Sequence, residues 1–157
     1  MAGEWMPALV GVVGTLAGTL TVTVLQQRAA RAERADRSAG ERRTELVHAT
    51  TALVTALAAH RRAMWARERL RLTGADDSVY AEARSESHRT RGEITAPLVT
   101  LSILAPALAD PARAAAHAAY ELRGAADQAA LDVSRTAAAR AADTLVAQAA
   151  AHLTTAG

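Results

Sequence analysis

The sequence predicts an all-α protein: an N-terminal transmembrane helix followed by an antiparallel helical bundle or coiled-coil hairpin. Three observations carry that expectation. Trp5 to Gln27 holds no charged side chain. Alanine, the best helix former, makes up about a quarter of the chain, far above ordinary usage. From Leu46 onward the larger side chains recur at steps of three and four, a helical period and not the period of two that a strand would show.

The first element is the uncharged segment. At about 1.5 Å per residue, residues 5–25 are long enough to cross the roughly 30 Å hydrocarbon core of a bilayer. A cleaved secretory signal would begin with a basic region and end in small residues. Here the charge ahead of the core is acidic, Glu4, and the core runs into Gln26-Gln27-Arg28. A retained anchor is therefore expected. Arg28, Arg31, Arg34, Arg37, Arg42 and Arg43 all lie beyond it. Positive charge close to a span marks the cytoplasmic side. The expected topology is single-pass in the cell membrane, N-terminus out and C-terminal domain cytoplasmic. Within the span, Gly11, Gly14 and Gly18 include one G-x-x-x-G step, with Thr15 inside it. That spacing lets two helix backbones approach closely, which points to self-association.

Residues 26–45 read as a charged helical neck, in which Glu33 and Arg37 make a favourable i,i+4 pair. Ser38-Ala39-Gly40 is its weak point and the place for a hinge. A bundle is expected over 46–155, with helices at about 46–72, 78–108 and 111–153. The first has a seam of Leu46, Thr50, Leu53, Leu57, His60 and Met64. Thr73-Gly74-Ala75-Asp76-Asp77-Ser78 turns the chain back. The second seam runs Tyr80, Ala83, Ser87, Thr90, Ile94, Pro97, Leu101, Leu104 and Leu108, with a kink or break expected ahead of Pro97. Asp110-Pro111 has the form of a helix start. It opens one long Ala-rich helix, or two divided at Gly124. The candidate buried positions there are Ala115, Ala119, Leu122, Ala126, Ala129, Val133, Ala137, Ala141, Leu145, Ala149 and Leu153.

Composition removes several functional classes. There is no cysteine, so disulfides, thiolate catalysis and Cys-based zinc sites are excluded. All 18 basic residues are arginine, yet the net charge is only +2, so no global basic surface for nucleic acid is indicated. No Gly-rich phosphate loop, nucleophile elbow or His-Glu-x-x-His motif occurs. No enzymatic activity, cofactor or metal is expected.

Two polar clusters remain. His60, Arg61, Arg62, Trp65 and Arg67 lie on the first bundle helix; His88, Arg89 and Arg91 lie on the second. Folding back about Gly74 to Asp77 brings together positions that sum to about 151, which sets His60 near Thr90. One reading makes the Arg61–Arg71 face an anion or nucleic-acid contact, with arginine forks on phosphates and Trp65 stacking on a base. The plainer reading pairs these arginines with Glu82, Glu86 and Glu93 across the hairpin and makes Trp65 a core plug. His60 and His88 without a carboxylate triad are a weak metal or acid–base signal.

At these clusters the chain resembles a known family. Leu25-Gln26-Gln27-Arg28, His60-Arg61-Arg62-Ala63-Met64-Trp65, Glu86-Ser87-His88-Arg89-Thr90-Arg91 and Ile94-Thr95-Ala96-Pro97-Leu98-Val99 resemble actinobacterial membrane proteins of the KilB plasmid-spread type and their chromosomal relatives. The resemblance covers roughly residues 10–110. It implies an accessory membrane protein for conjugative plasmid spread, whose partner would be a DNA-transfer apparatus.

Overall fold

The structure, a computed structural model, describes the backbone of residues 6–155 and the side chains of Arg31, 33–34 and 36–155. Its elements are α1 (Met6–Thr73), α2 (Asp77–Leu104), a 3₁₀ turn (Pro106–Leu108), α3 (Ala109–Tyr120) and α4 (Gln128–Thr155). Every element among the described residues is helical, so the all-α class holds. The chain divides into two compact units, 1–42 and 43–157.

In the first unit the backbone is helical from Met6, and the side chains described between Arg31 and Arg42 face solvent wholly or in part. The helix runs unbroken through Ser38-Ala39-Gly40, the expected weak point. One glycine costs a helix about 1 kcal/mol, and the flanking Ala, Arg and Glu are strong helix formers. The expected membrane span, with Gly11, Gly14, Thr15 and Gly18, lies outside the residues whose side chains are described. Among the described residues no helix is long and apolar enough to cross a membrane.

The second unit is the bundle. Its α1 portion buries Leu46, Thr50, Leu53, Leu57, His60 and Met64, the seam read from the heptad pattern, and Ala49 and Ala56 beside it. Leu53 packs in a main cluster with Ile94 and Leu101 of α2, Ala112, Ala115 and Ala119 of α3, and Leu145 and Ala149 of α4. A second cluster sits towards the α1–α2 turn, where Met64 meets Leu122, Leu131 and Ala138, with Trp65 and Leu72 against it. Alanine on α3 and α4 lets those helices come close, while the leucines of α1 and α2 fill the space between.

Gly74 ends α1 at φ 64°, the left-handed conformation that glycine adopts without strain. Of the kink or break expected ahead of Pro97, the break does not occur: α2 runs through the proline. Proline in a helix interior costs about 3 kcal/mol, and the burial of Ile94 and Leu101 on either side offsets that cost. Helix α2 does end at Leu104, before Pro106, where Ala105 leaves helical geometry.

The segment 111–153 forms two helices, so the bundle has four helices and not three. Helix α3 begins at Ala109, ahead of the expected Asp110-Pro111 start, and Asp110 lies in its first turn paired with Arg113. It stops at Tyr120. Gly124 then takes φ 76°, and the Asp127 Oδ1 atom accepts a hydrogen bond from the Ala130 N–H at 2.8 Å, capping α4. This loop resets the helical phase. Helix α4 buries Leu131, Ala138, Ala142, Leu145 and Ala149. Of the expected positions there, Ala126, Ala129, Val133 and Ala137 are exposed, and Ala141 is half-buried.

Candidate functional site: a cationic cleft between α1, α2 and α3

His60 is 1% exposed, and Thr90 and Ser87 are buried beside it. The His60 Nδ1 atom lies 3.1 Å from the Thr90 Oγ1, which fits the fold-back register about Gly74. Thr90 Oγ1 directs its single proton at the Glu86 carbonyl, 3.0 Å away, or the Ser87 carbonyl at 3.3 Å. Its oxygen is then the acceptor, and His60 donates from Nδ1. The Tyr120 ring meets the imidazole edge-on, with centroids 5.4 Å apart and planes at 74°. Burial, with Arg91 and Arg67 nearby, pushes the His60 pKa down from 6.5 to about 4, against a hydrogen bond to the Ser87 backbone that acts the other way. His60 is therefore neutral at physiological pH.

Around this pair lies a cleft of about 30 Å³, lined by His60, Met64 and Arg67 of α1, Ser87, His88 and Arg91 of α2, and Tyr120 and Arg123 from the end of α3. The inner wall is His60, Met64 and Ser87. Arg67 is largely buried and reaches Ser87 Oγ and the Tyr80 hydroxyl, both at 3.4 Å. Arg91 and Arg123 are exposed at the rim, and the Arg91 guanidinium lies 4.5 Å from the Tyr120 ring centroid.

Glu68 faces the other way. It is 1% exposed, 3.7 Å from the Arg67 Nε and 2.7 Å from the Arg71 Nε, and it accepts the Gly124 N–H at 3.1 Å. Arg71 also donates to the Ala125 carbonyl. One buried carboxylate thus fastens the α3–α4 loop to the tip of α1.

The sequence-selected residues separate into two groups. His60, Arg67, His88 and Arg91 come together in the cleft. Arg61 is half-buried, Arg62 is exposed, and neither lines it. Arg89 is drawn away by Glu86 (2.6 Å) and Glu93 on its own helix, and Glu86 is held below the usual carboxylate range by that contact. The expected pairing of the α1 arginines with Glu82, Glu86 and Glu93 across the hairpin is not made among the described residues; Glu86 and Glu93 hold Arg89 of their own helix instead. Trp65 points to α4: its Nε1 donates to Asp132 at 3.0 Å, and Arg69 and Arg135 stand over its ring at 5.1 and 4.7 Å. Gln128 and Trp65 together hold Asp132 below its ordinary pKa.

Sequence reading missed Glu68 as a buried anchor, and Tyr120 and Arg123 as cleft residues. Tyr120 carried a signal, being the aromatic of the Ala-rich half. Arg123 carried none. Among the described residues no cluster of three or more His, Asp or Glu could hold a metal.

This architecture is a four-helix, Ala-packed bundle with a polar layer and a cationic cleft at one level. The model of the KilB plasmid transfer protein family matches residues 47–153. The chain is also 58% identical over 142 residues to Protein KilB of Streptomyces lividans, across 90% of this chain and 94% of that one. No solved structure matches it. The chain belongs to the KilB plasmid transfer protein family. The family match extends through the Ala-rich half to residue 153, beyond the 10–110 that carried the resemblance.

Proposed function

We propose that the chain is a non-enzymatic, single-pass membrane scaffold with a helical bundle on the cytoplasmic side, accessory to conjugative plasmid spread. The observation that carries this reading is the uncharged run from Trp5 to Gln27 with six arginines directly after it, within 28–43. Family membership supports the plasmid-transfer part. The bundle is suited to a binding role: Val99, Ile103 and Val133 are each more than half exposed, a supply of apolar contact surface on a well-packed frame. Self-association would run through Gly14 and Gly18 in the span, and the partner would be a DNA-transfer apparatus.

Three measurements test this. The full chain should stay with membranes through alkaline carbonate extraction, and a protease added to intact cells should leave the bundle uncut. Cross-linking in membranes should give discrete oligomers that Gly14→Leu or Gly18→Leu removes. Release by carbonate, or cleavage of the bundle from outside, defeats the anchor and its direction. Monomer throughout defeats association through the span.

Direct nucleic-acid binding by the Arg61–Arg71 face is the weaker reading. Arg67 and Arg71 are engaged by Glu68, and Arg69 lies over Trp65, so the face is not an open array of phosphate donors. Such binding would weaken steeply with salt, and Arg61→Ala with Arg62→Ala would flatten that slope.

A further inference from the structure

We propose that the cleft between α1, α2 and α3 is a binding site for one terminal phosphate group, held by Arg67 from within and by Arg91 and Arg123 at the rim. The inference is independent of the membrane reading.

Charge comes first. Three guanidiniums converge on one cleft. Glu68, the carboxylate that meets one of them, already accepts from Arg71 and from the Gly124 N–H. Arg91 and Arg123 make no ion pair with any described carboxylate; the Arg91 guanidinium lies over the Tyr120 ring instead. This contrasts with Arg89 nearby on α2, which two glutamates neutralise. Arg91 and Arg123, unpaired at the rim of a concave surface beside Arg67, repel each other until an anion joins them.

Size then narrows the ligand. A water needs about 10–15 Å³ of such space, so 30 Å³ admits roughly two water-sized atoms. A base or a sugar does not enter. One or two oxygens of a phosphate group do, with its remaining oxygen at the rim and whatever it is bonded to left outside. A carboxylate has two oxygens and would leave one guanidinium unmet, whereas a terminal phosphate has three free oxygens, one for each arginine. The back wall suits this. Ser87 Oγ gives its proton to the Arg84 carbonyl at 2.7 Å and accepts from Arg67, and His60 stays neutral and holds Thr90, so the wall is firm and adds no competing charge.

Such a phosphate could be soluble or could be the exposed head of a phosphomonoester lipid. Both sources share the chemistry, and one experiment separates them. The full-length protein is mixed with phosphatidylcholine nanodiscs, and radiolabelled inorganic phosphate is measured by equilibrium dialysis. Saturable binding is expected. Arg91→Gln and Arg123→Gln should each raise Kd about tenfold, while Arg62→Gln, exposed outside the cleft, should leave it unchanged. Adding phosphatidic acid to the discs separates the sources: displacement of the label assigns the site to lipid headgroups, and no displacement assigns it to soluble phosphate. A second readout tracks His60 by NMR. Phosphate in the cleft should raise its pKa, because it offsets Arg67 and Arg91, and Arg123→Gln should remove that response to phosphate. Absence of saturable binding, or binding that Arg91→Gln and Arg123→Gln do not weaken, overturns the proposal.

Discussion

Acid should weaken the bundle in a pH range where few other groups titrate, and His60 is the reason. In the unfolded chain its imidazole takes up a proton near the ordinary pH of 6.5; in the folded bundle it does so only near 4. Between those limits the unfolded state binds more protons than the folded one. Stability therefore rises with pH across that interval and is lost as acid is added. Each pH unit of separation is worth about 1.4 kcal/mol, so the full interval costs about 3 kcal/mol, a large part of a small domain's stability. Glu86 and Asp132 are held below their ordinary values of 4.5 and 3.8. Their contributions are lost as pH falls below those values, so Glu86 overlaps only the acid end of the His60 interval and Asp132 lies beneath it. Urea unfolding of the full chain, monitored by Trp65 fluorescence in a Trp5→Phe background, measures the effect at half-unit steps from pH 7.5 to 4. The midpoint should fall steadily from 6.5 to about 4.5. In His60→Asn, which keeps a polar side chain but does not titrate, that slope should flatten. An equal slope in both proteins would refute the assignment to His60.

Three further outcomes are expected in the same unfolding assay. Glu68→Ala should cost about 3 kcal/mol, since it strips a buried carboxylate from Arg67, Arg71 and the Gly124 N–H, and should speed hydrogen exchange across 121–127. Gly124→Ala should cost about 1 kcal/mol through its positive φ alone, because an added Cβ meets nothing within 4 Å. Leu145→Ala should cost about 2–5 kcal/mol by opening a cavity at a position with no exposure, whereas Val133→Ala on the same helix, 68% exposed, should change little.

What could be read in advance depended on contrast between neighbouring side chains. On α1 the large residues Leu46, Leu53, Leu57 and Met64 stand among Ala, Thr and Arg, so the heptad seam is visible and every member of it is buried. On α4 alanine occupies so many positions that several phases look alike. The expected seam ran straight from α3 into Ala126, Ala129, Val133 and Ala137, and the loop at Gly124 broke its phase. Gly124 and Asp127 did carry the stop and start signals for that loop. Pro97 misled because a local rule was outweighed by burial of Ile94 and Leu101. Glu68 was hidden for another reason. Its burial depends on residues 121–127 folding over it, and no pattern near position 68 announces a loop more than fifty residues away. The cleft was half visible. His60, Arg67, His88 and Arg91 share two local clusters, but Tyr120 and Arg123 arrive through tertiary packing.

The His60–Thr90 pair also answers a problem that an alanine-rich hairpin creates for itself. The seams on both arms repeat every seven residues, so a slip of one heptad keeps their spacing. Such a slip would leave His60 opposite Pro97 or Ala83 instead of Thr90, stripping a buried imidazole of its partner at a cost of about 1–3 kcal/mol. One polar contact thereby makes alignments of equal heptad spacing unequal.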